Sequence, residues 1–513
     1  MRRTANRLLC LLLLSLCWVS ASAAAESCSQ TPHPTFLVSV DQTLANSPVS
    51  GRLLVMMSTK LNAKNDLTPS FGPEAHSVWV AAKEVIALTP QVPIKLDPAE
   101  LAYPETFCSA PAGTYHIKAV LDVNHDFAYD YEATDGDLMS TVVEQAFNPT
   151  ANEVISLALT ARESSPPLED LPQTEKFNFV SPALSAFWGR AIHMTGMVVL
   201  PPSYATGSGR YPTIYFNHGF GGGMGPMQRR TAPNLIKLMG DKKIPEMIWV
   251  LLVQQSPTGT HEFADSVNNG PWGKALTTEL IPFLEKKYRM DAKPSGRLLQ
   301  GHSSGGWASM WLQVNYPGIF GGAWPTSPDP GDFRNFALVD LTKRPLQNFY
   351  YESDGTPRML LRMGGHDVQS ALDLGMQEQV LGEYSGQLGS FDWVFSPRGK
   401  DGRPMKMFDR NTGVIDPEVA AYWEEHYDIA HLLRVNWKKI GPKVSGKIHL
   451  TVGTADTIHL NESAQLLEET IKSLGGKADF TYLEGRDHFN LYQGGLLEKI
   501  ANEMYAVARP AKK

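Results

Sequence analysis

The chain has 513 residues, with 46 lysines and arginines against 53 acidic residues and a formal net charge of −7. That length exceeds one ordinary hydrophobic core and predicts two domains, while the acidic balance leaves no basic surface for nucleic acid. Four cysteines are too few for a disulfide scaffold.

At the N-terminus Arg2, Arg3 and Arg7 precede an apolar run over 8–16 and small residues over 21–25. This order predicts a signal peptide over 1–25 and a secreted or periplasmic protein. The apolar run is too short to span a bilayer, so no stable membrane anchor is expected. Loss of that segment removes Cys10 and Cys17 and leaves Cys28 and Cys108, which an oxidising compartment favours as one disulfide over two buried thiols.

Residues 26–162 read as a small all-β domain. Short runs alternate in polarity, with Tyr115, Ile117, Ala119 and Leu121 on one face and Ile155, Leu157 and Leu159 on another, separated by turn-forming residues. We expect an Ig-like sandwich. Asp122, Asn124 and Asp126 space oxygen ligands as a calcium loop does, but Phe127 stands where such a loop needs glycine and Ala133 where it needs glutamate, so a polar turn is predicted. Residues 163–176 are proline-rich without apolar period and form the linker.

From 177 to 513 apolar strands alternate with helical patterns, at 213–216, 247–253, 298–300, 359–363, 448–452 and 480–483. The alternation predicts an α/β domain, a mostly parallel sheet with helices on both faces. One helix starts with Asn461 as N-cap, carries Ala464, Leu467, Ile471 and Leu474 on one face, and ends at Gly475 and Gly476. A second, over 275–288, contains Pro282 and should kink or split there. An insertion at about 364–442 lacks strong strand signals and is rich in aromatics; it is either a lid over the site or a subdomain with its own core.

Gly301-His302-Ser303-Ser304-Gly305 is a G-x-S-x-G segment between a strand and a helical run. A serine in such a tight turn needs neighbours almost free of side chain, which Gly301 and Gly305 supply, so Ser303 is the candidate nucleophile. A serine hydroxyl needs a histidine base, and that base needs a carboxylate to fix its tautomer. Asp456 follows the strand at 448–452 and His488 the strand at 480–483, so the order is Ser, Asp, His and all three fall at the carboxyl edge of the sheet. Other downstream histidines, at 366, 426, 431, 449 and 459, follow no final strand. The oxyanion of a tetrahedral intermediate calls for backbone N–H donors. Ser304 is expected to supply one, and Phe220 or Gly221 in the glycine-rich loop after 213–216 the other. His218 and His302, beside these backbones, and Asn269 and Trp272 in a polar and aromatic loop are candidates to line the substrate pocket.

With those residues in place, the chain resembles the esterase D-like family of α/β-hydrolases, which includes enterochelin esterases, feruloyl esterases and mycolyltransferases. The resemblance is carried by His218-Gly219, Glu279-Leu280-Ile281-Pro282, Tyr288-Arg289, Gly301 to Gly306, Tyr316-Pro317, Asp456 and His488, and covers about 177–508. It implies an α/β-hydrolase fold and a serine esterase in which Ser303, Asp456 and His488 are nucleophile, acid and base. No metal or organic cofactor is implied, and the partner is a small-molecule or polysaccharide-linked ester. An all-β domain ahead of the hydrolase domain is likewise similar to enterochelin esterases, whereas the 364–442 insertion departs from the family pattern. Acyl transfer and peptide cleavage use the same machinery, and a non-catalytic secreted carbohydrate-binding or adhesion protein stands as the alternative from a different class.

Overall fold

The fold is that of a computed structural model, which describes residues 31–165 and 167–511. The expected signal peptide and Cys28 lie outside the described residues. Cys108 is disulfide-bonded. Among the described residues, no helix is long and apolar enough to cross a membrane.

The chain divides into two compact units. The first holds residues up to Ser165 together with Met376–Glu383. Nine strands between Thr35 and Arg162 join in one hydrogen-bonded sheet, in which Thr35–Val40 pairs parallel to Val154–Arg162 and the other neighbours pair antiparallel. The prediction of an Ig-like pair of sheets is corrected to this extent: pairing runs continuously from strand to strand. The strand Val49–Ser58 shows why its sequence is apolar without alternation. Leu53, Val55 and Met57 enter one core with Ile117, Ala119, Leu157 and Leu159, while Leu54 and Met56 enter a second on the opposite face with Phe127, Val380 and Leu381. A strand buried on both faces needs no polar side.

The segment Met376–Glu383 corrects the predicted boundaries, because part of the insertion belongs to the β unit. Arg52 donates to the carbonyls of Gln379 and Val380 there. The Asp122 loop is polar and runs into the short helix Phe127–Asp130; Asp122, Asp126 and Asp137 bring carboxylate oxygens within 4.8 Å of one another, a set that could hold a metal ion. Asp122 accepts from the N–H groups of Asp126 and Phe127 at 3.2 and 3.0 Å, and Asp137 accepts from those of Val123 and Thr134.

In the second unit eight strands form the central sheet: β1 Thr174–Val180, β2 His193–Val199, β3 Thr213–Asn217, β4 Ile248–Leu252, β5 Arg297–His302, β6 Gly322–Thr326, β7 His449–Gly453 and β8 Asp479–Leu483. Their spatial order is β1-β2-β4-β3-β5-β6-β7-β8. The first two pairings are antiparallel and all the others parallel, so β3 and β5 to β8 all end at one edge, the place where open α/β sheets bind ligands. This is the α/β-hydrolase architecture that the sequence predicted.

Several expectations change in detail. Residues 359–363 do not enter the sheet. They pair with His366–Ser370 in a separate hairpin whose turn, Gly364 and Gly365, has φ of 58° and 81°, the double left-handed turn that closes two strands on each other. The central strand in that region is instead Gly322–Thr326, fully buried but hidden in sequence by its glycine and by Pro325. The helix predicted with Asn461 as N-cap begins two residues earlier, as Leu460–Ser473 with His459 as N-cap; Asn461 is already inside and accepts from Arg362 at 3.1 Å. The 275–288 helix is not split at Pro282: Ala275, Leu276, Leu280 and Ile281 all keep right-handed helical dihedrals, and a π turn over Leu276–Leu280 runs directly into Ile281–Lys287, the local widening that accommodates the proline's missing N–H.

The insertion is a helical subdomain. Helices Gln387–Phe395, Pro417–Tyr427 and Ile429–Val444 pack Phe391, Phe395, Trp423 and Leu433 into the same core as Trp307 and Phe333. The polar loop at 259–269 is tied to it. Thr260 N–H donates to Ser390 Oγ, Ser266 Oγ to the Trp393 carbonyl, and Asn268 Nδ2 to the Ser396 carbonyl at 2.7 Å.

Candidate active site

Ser303 stands at the turn between β5 and the helix Ser304–Asn315, with φ 58° and ψ −127°. A non-glycine residue is strained there and persists because its surroundings over-determine it. A Cβ on Gly301 would meet the Gly305 carbonyl oxygen at 2.1 Å, and one on Gly305 the Asn217 carbonyl oxygen at 2.1 Å. The two glycines are therefore a steric requirement of the turn, as the sequence argued. The Ser303 N–H is held by the Thr326 carbonyl at 3.0 Å, and its own carbonyl accepts from Gly306 and Trp307 as the helix starts.

His488 and Asp456 meet at the same edge. His488 Nδ1 lies 3.1 Å from Asp456 Oδ2, and both side chains are buried. The other Asp456 oxygen accepts from the N–H groups of Ile458 and Leu460 at 3.0 and 3.3 Å. Burial works to raise the Asp456 carboxyl, but the His488 ring and the Ile458 N–H outweigh it and hold the group below the ordinary carboxylate range. Asp487, next to the histidine in sequence, turns away and accepts from the N–H groups of Phe489 and Asn490.

His218 is a buried support, and His302 is half-buried beside a cavity. His218 Nδ1 is 2.7 Å from the Gly219 carbonyl, and Nε2 accepts from the Gln254 N–H at 2.9 Å. This pair of partners selects the neutral Nδ1–H tautomer, and burial lowers the ring to about 4. It fixes the glycine-rich loop so closely that a Cβ on Gly219 would stand 3.1 Å from Ser303 Cβ. The loop closes with a Gly222 N–H to Gly219 carbonyl bond and places the backbone of Phe220 and Gly221 in the turn between them. His302 lies 4.5 Å ring to ring from His488 and 3.2 Å from Thr326 Oγ1, and burial together with the neighbouring His488 lowers it to about 3.

Asn269 and Trp272, predicted as pocket residues, turn inward. The Asn269 carbonyl accepts from the indoles of Trp272 and Trp188, and Trp272 stacks on His261 at 3.6 Å. They brace the loop from within.

Sequence reasoning missed Asp329. It follows β6, and its N–H donates to the Ser303 carbonyl at 3.2 Å. Its carboxylate accepts from Ser304 Oγ at 2.7 Å and from Ser303 Oγ at 3.4 Å. Burial raises it to about 6. Among the described residues, Asp329 and not His488 is the hydrogen-bond partner of the Ser303 hydroxyl. The only cue in the sequence was an aspartate between Pro328 and Pro330 just after a strand that was itself overlooked.

Residues 191–495, more than half of the chain, match the family described as "Putative esterase". The chain belongs to this family of esterases. Among curated relatives, the uncharacterized protein YbbA of Bacillus subtilis is 26% identical over 133 residues, covering 24% of this chain and 51% of the relative. Esterase Rv1288 of Mycobacterium tuberculosis is 27% identical over 177 residues, 33% of this chain and 36% of the relative. The chain thus spans about half and about a third of the length of these relatives. Among solved structures, a ferulic acid esterase shares 15% identity with a TM-score of 0.38 over 65% of this chain and 98% of its own. An S-formylglutathione hydrolase (FrmB) from Staphylococcus aureus shares 12% with a TM-score of 0.39 over 64% and 98%.

Proposed function

We propose that this esterase-family chain is a serine hydrolase that cleaves carboxylic esters through an acyl-enzyme. The single observation that carries the reading is a strained serine at the end of β5, sharing one sheet edge with a buried His488–Asp456 pair. Ser303 Oγ attacks the ester carbonyl carbon while its proton passes to His488 Nε2. The negative charge on the carbonyl oxygen is held by the N–H of Ser304, at the start of a 12-residue helix, and by the backbone at Phe220 or Gly221. Collapse of the intermediate breaks the bond to the alcohol oxygen, which takes the proton from His488. Water, deprotonated by His488, then attacks the acyl carbon and releases the acid, returning the proton to Ser303. Asp456 keeps Nδ1 of His488 protonated and stabilises the imidazolium.

The disulfide at Cys108 supports export, since such bonds persist in oxidising compartments. The reading is tested by treating the purified protein with a fluorophosphonate probe and by assaying Ser303→Ala on a short p-nitrophenyl ester. We expect labelling at Ser303 alone and a loss of several orders of magnitude in kcat. Wild-type turnover by folded Ser303→Ala protein would sink it.

A further inference from the structure

Asp329 is the one charged residue lining a cavity whose other walls include Phe336, Leu360, Leu361, Leu388, Phe391 and Ile458. Its contact with the Ser303 hydroxyl sets it beside the nucleophile, while the cavity itself is small, about 40 Å³, and Ser303 is not among its walls. A second carboxyl, Glu262, lies close enough to act on Asp329 electrostatically. Glu262 is fully buried, its Oε2 has no hydrogen-bond partner, and the backbone of Glu262 and Phe263 is held at φ 49° and 48°. The groups that chiefly act on Asp329 are Ser304, His488, Ser303 and Asp456, and those on Glu262 are Asp329 and Thr260; no lysine or arginine is among them.

A buried carboxylate beside an acyl-transfer nucleophile is unfavourable on two counts. It has lost its hydration without gaining a counter-charge, and its charge opposes the oxyanion that forms on the attacked carbonyl. Both are relieved if the acyl group itself brings a cation. A nitrogen on the carbon next to the ester carbonyl lies three bonds from Ser303 Oγ in the acyl-enzyme, and the Asp329 carboxylate already stands within 3.4 Å of that oxygen.

We propose that Asp329, assisted by Glu262, determines acyl specificity by accepting hydrogen bonds from a cationic α-amino group, so that the preferred substrates are α-aminoacyl esters. The inference rests on Ser303 being the nucleophile of the proposed reaction and adds no chemical step to it.

The test compares three p-nitrophenyl esters of one skeleton on the full-length protein, corrected for spontaneous hydrolysis: those of leucine, 4-methylpentanoate and 2-hydroxy-4-methylpentanoate. The leucine ester should exceed each of the others in kcat/KM by about 30-fold, the worth of one charge-assisted hydrogen bond. Asp329→Asn should bring that ratio to within about threefold, whatever it does to the absolute rates, and Glu262→Gln should reduce it by a smaller factor. Circular dichroism and fluorophosphonate labelling establish that each variant is folded with an intact nucleophile. The proposal is overturned if the unsubstituted or hydroxy ester equals the amino ester, or if the ratio survives in folded Asp329→Asn protein. In those cases ester cleavage itself persists and the reading of Ser303 stands. If no ester of the three is cleaved and no probe is bound, the proposed hydrolase function falls, and this inference with it.

Discussion

Two buried aspartates flank the candidate nucleophile, and replacing each by asparagine separates their roles. Asp456 accepts from His488 at 3.1 Å on one oxygen and from two backbone N–H groups on the other. In Asp456→Asn the amide oxygen retains the backbone bonds, so the fold is expected to survive, but the amide NH2 then faces His488 Nδ1. A donor at that place forces the proton to Nε2, the nitrogen that must take the serine proton, and the base is lost. The consequence is a fall of about 10⁴ in kcat, or about 5.5 kcal/mol in the barrier at ~1.36 kcal/mol per tenfold. Asp329 touches the serine hydroxyls and not the imidazole nitrogen paired with Asp456, so Asp329→Asn leaves the tautomer alone. It should cost kcat on an ester without an amino group less than about 100-fold, the range of one hydrogen bond to a charged group. The assay is steady-state hydrolysis of p-nitrophenyl butyrate by the two variants, with equal thermal melts as the check on folding. If Asp329→Asn lost four orders of magnitude and Asp456→Asn less than tenfold, the acid would be the residue after β6, and the assignment made from the His488–Asp456 distance would be wrong.

Three further outcomes follow from the geometry. His218 is buried and neutral with its pKa lowered to about 4, so between pH 6.5 and about 4 the unfolded chain binds a proton that the folded chain refuses; this contribution is present above pH 6.5 and is lost as pH falls through that window. Its full size is about 3 kcal/mol, and because raised carboxyls such as Asp329 act in the opposite sense, the readout is the difference in urea midpoint between wild type and His218→Asn, which should narrow as pH drops from 7 to 4.5. Gly305→Ala would set a Cβ 2.1 Å from the Asn217 carbonyl oxygen and 2.5 Å from that of His218, displacing the loop behind the oxyanion site; we expect a loss of at least about 100-fold in kcat, the cost of one misplaced donor, measured on protein that still melts cooperatively. Leu360→Trp forces an indole into a buried site beside a cavity of only about 40 Å³ and should destabilise the fold by about 1–3 kcal/mol through overpacking, read as a lower urea midpoint than wild type.

The parts of this protein legible in sequence are those set by local rules. Gly301 and Gly305 announce the turn at Ser303 because no side chain fits there, and Asp456 and His488 are recognisable because each follows an apolar strand closely enough to be carried to its end. The irregularity that Pro282 announced obeys the same local chemistry, as a π turn in the helix just before it. What escaped depends on partners far away in the chain. Gly322–Thr326 is a strand because β5 and β7 pair with it on either side, not because its own residues favour one, and with it went Asp329. Residues 359–363 have the composition of a sheet strand, yet the two glycines that follow fold them back on their neighbours. The loop that carries Asn269 and Trp272 was recognisable by composition, but the stacking of Trp272 on His261 and the bond from Asn268 to the insertion are set only by the folded packing. Local sequence decides which backbone conformations and reacting groups are present. Which carboxylate pairs with His488 and which touches the Ser303 hydroxyl is decided by the tertiary packing, because charge and hydrogen bonding act over ångströms of space regardless of separation along the chain.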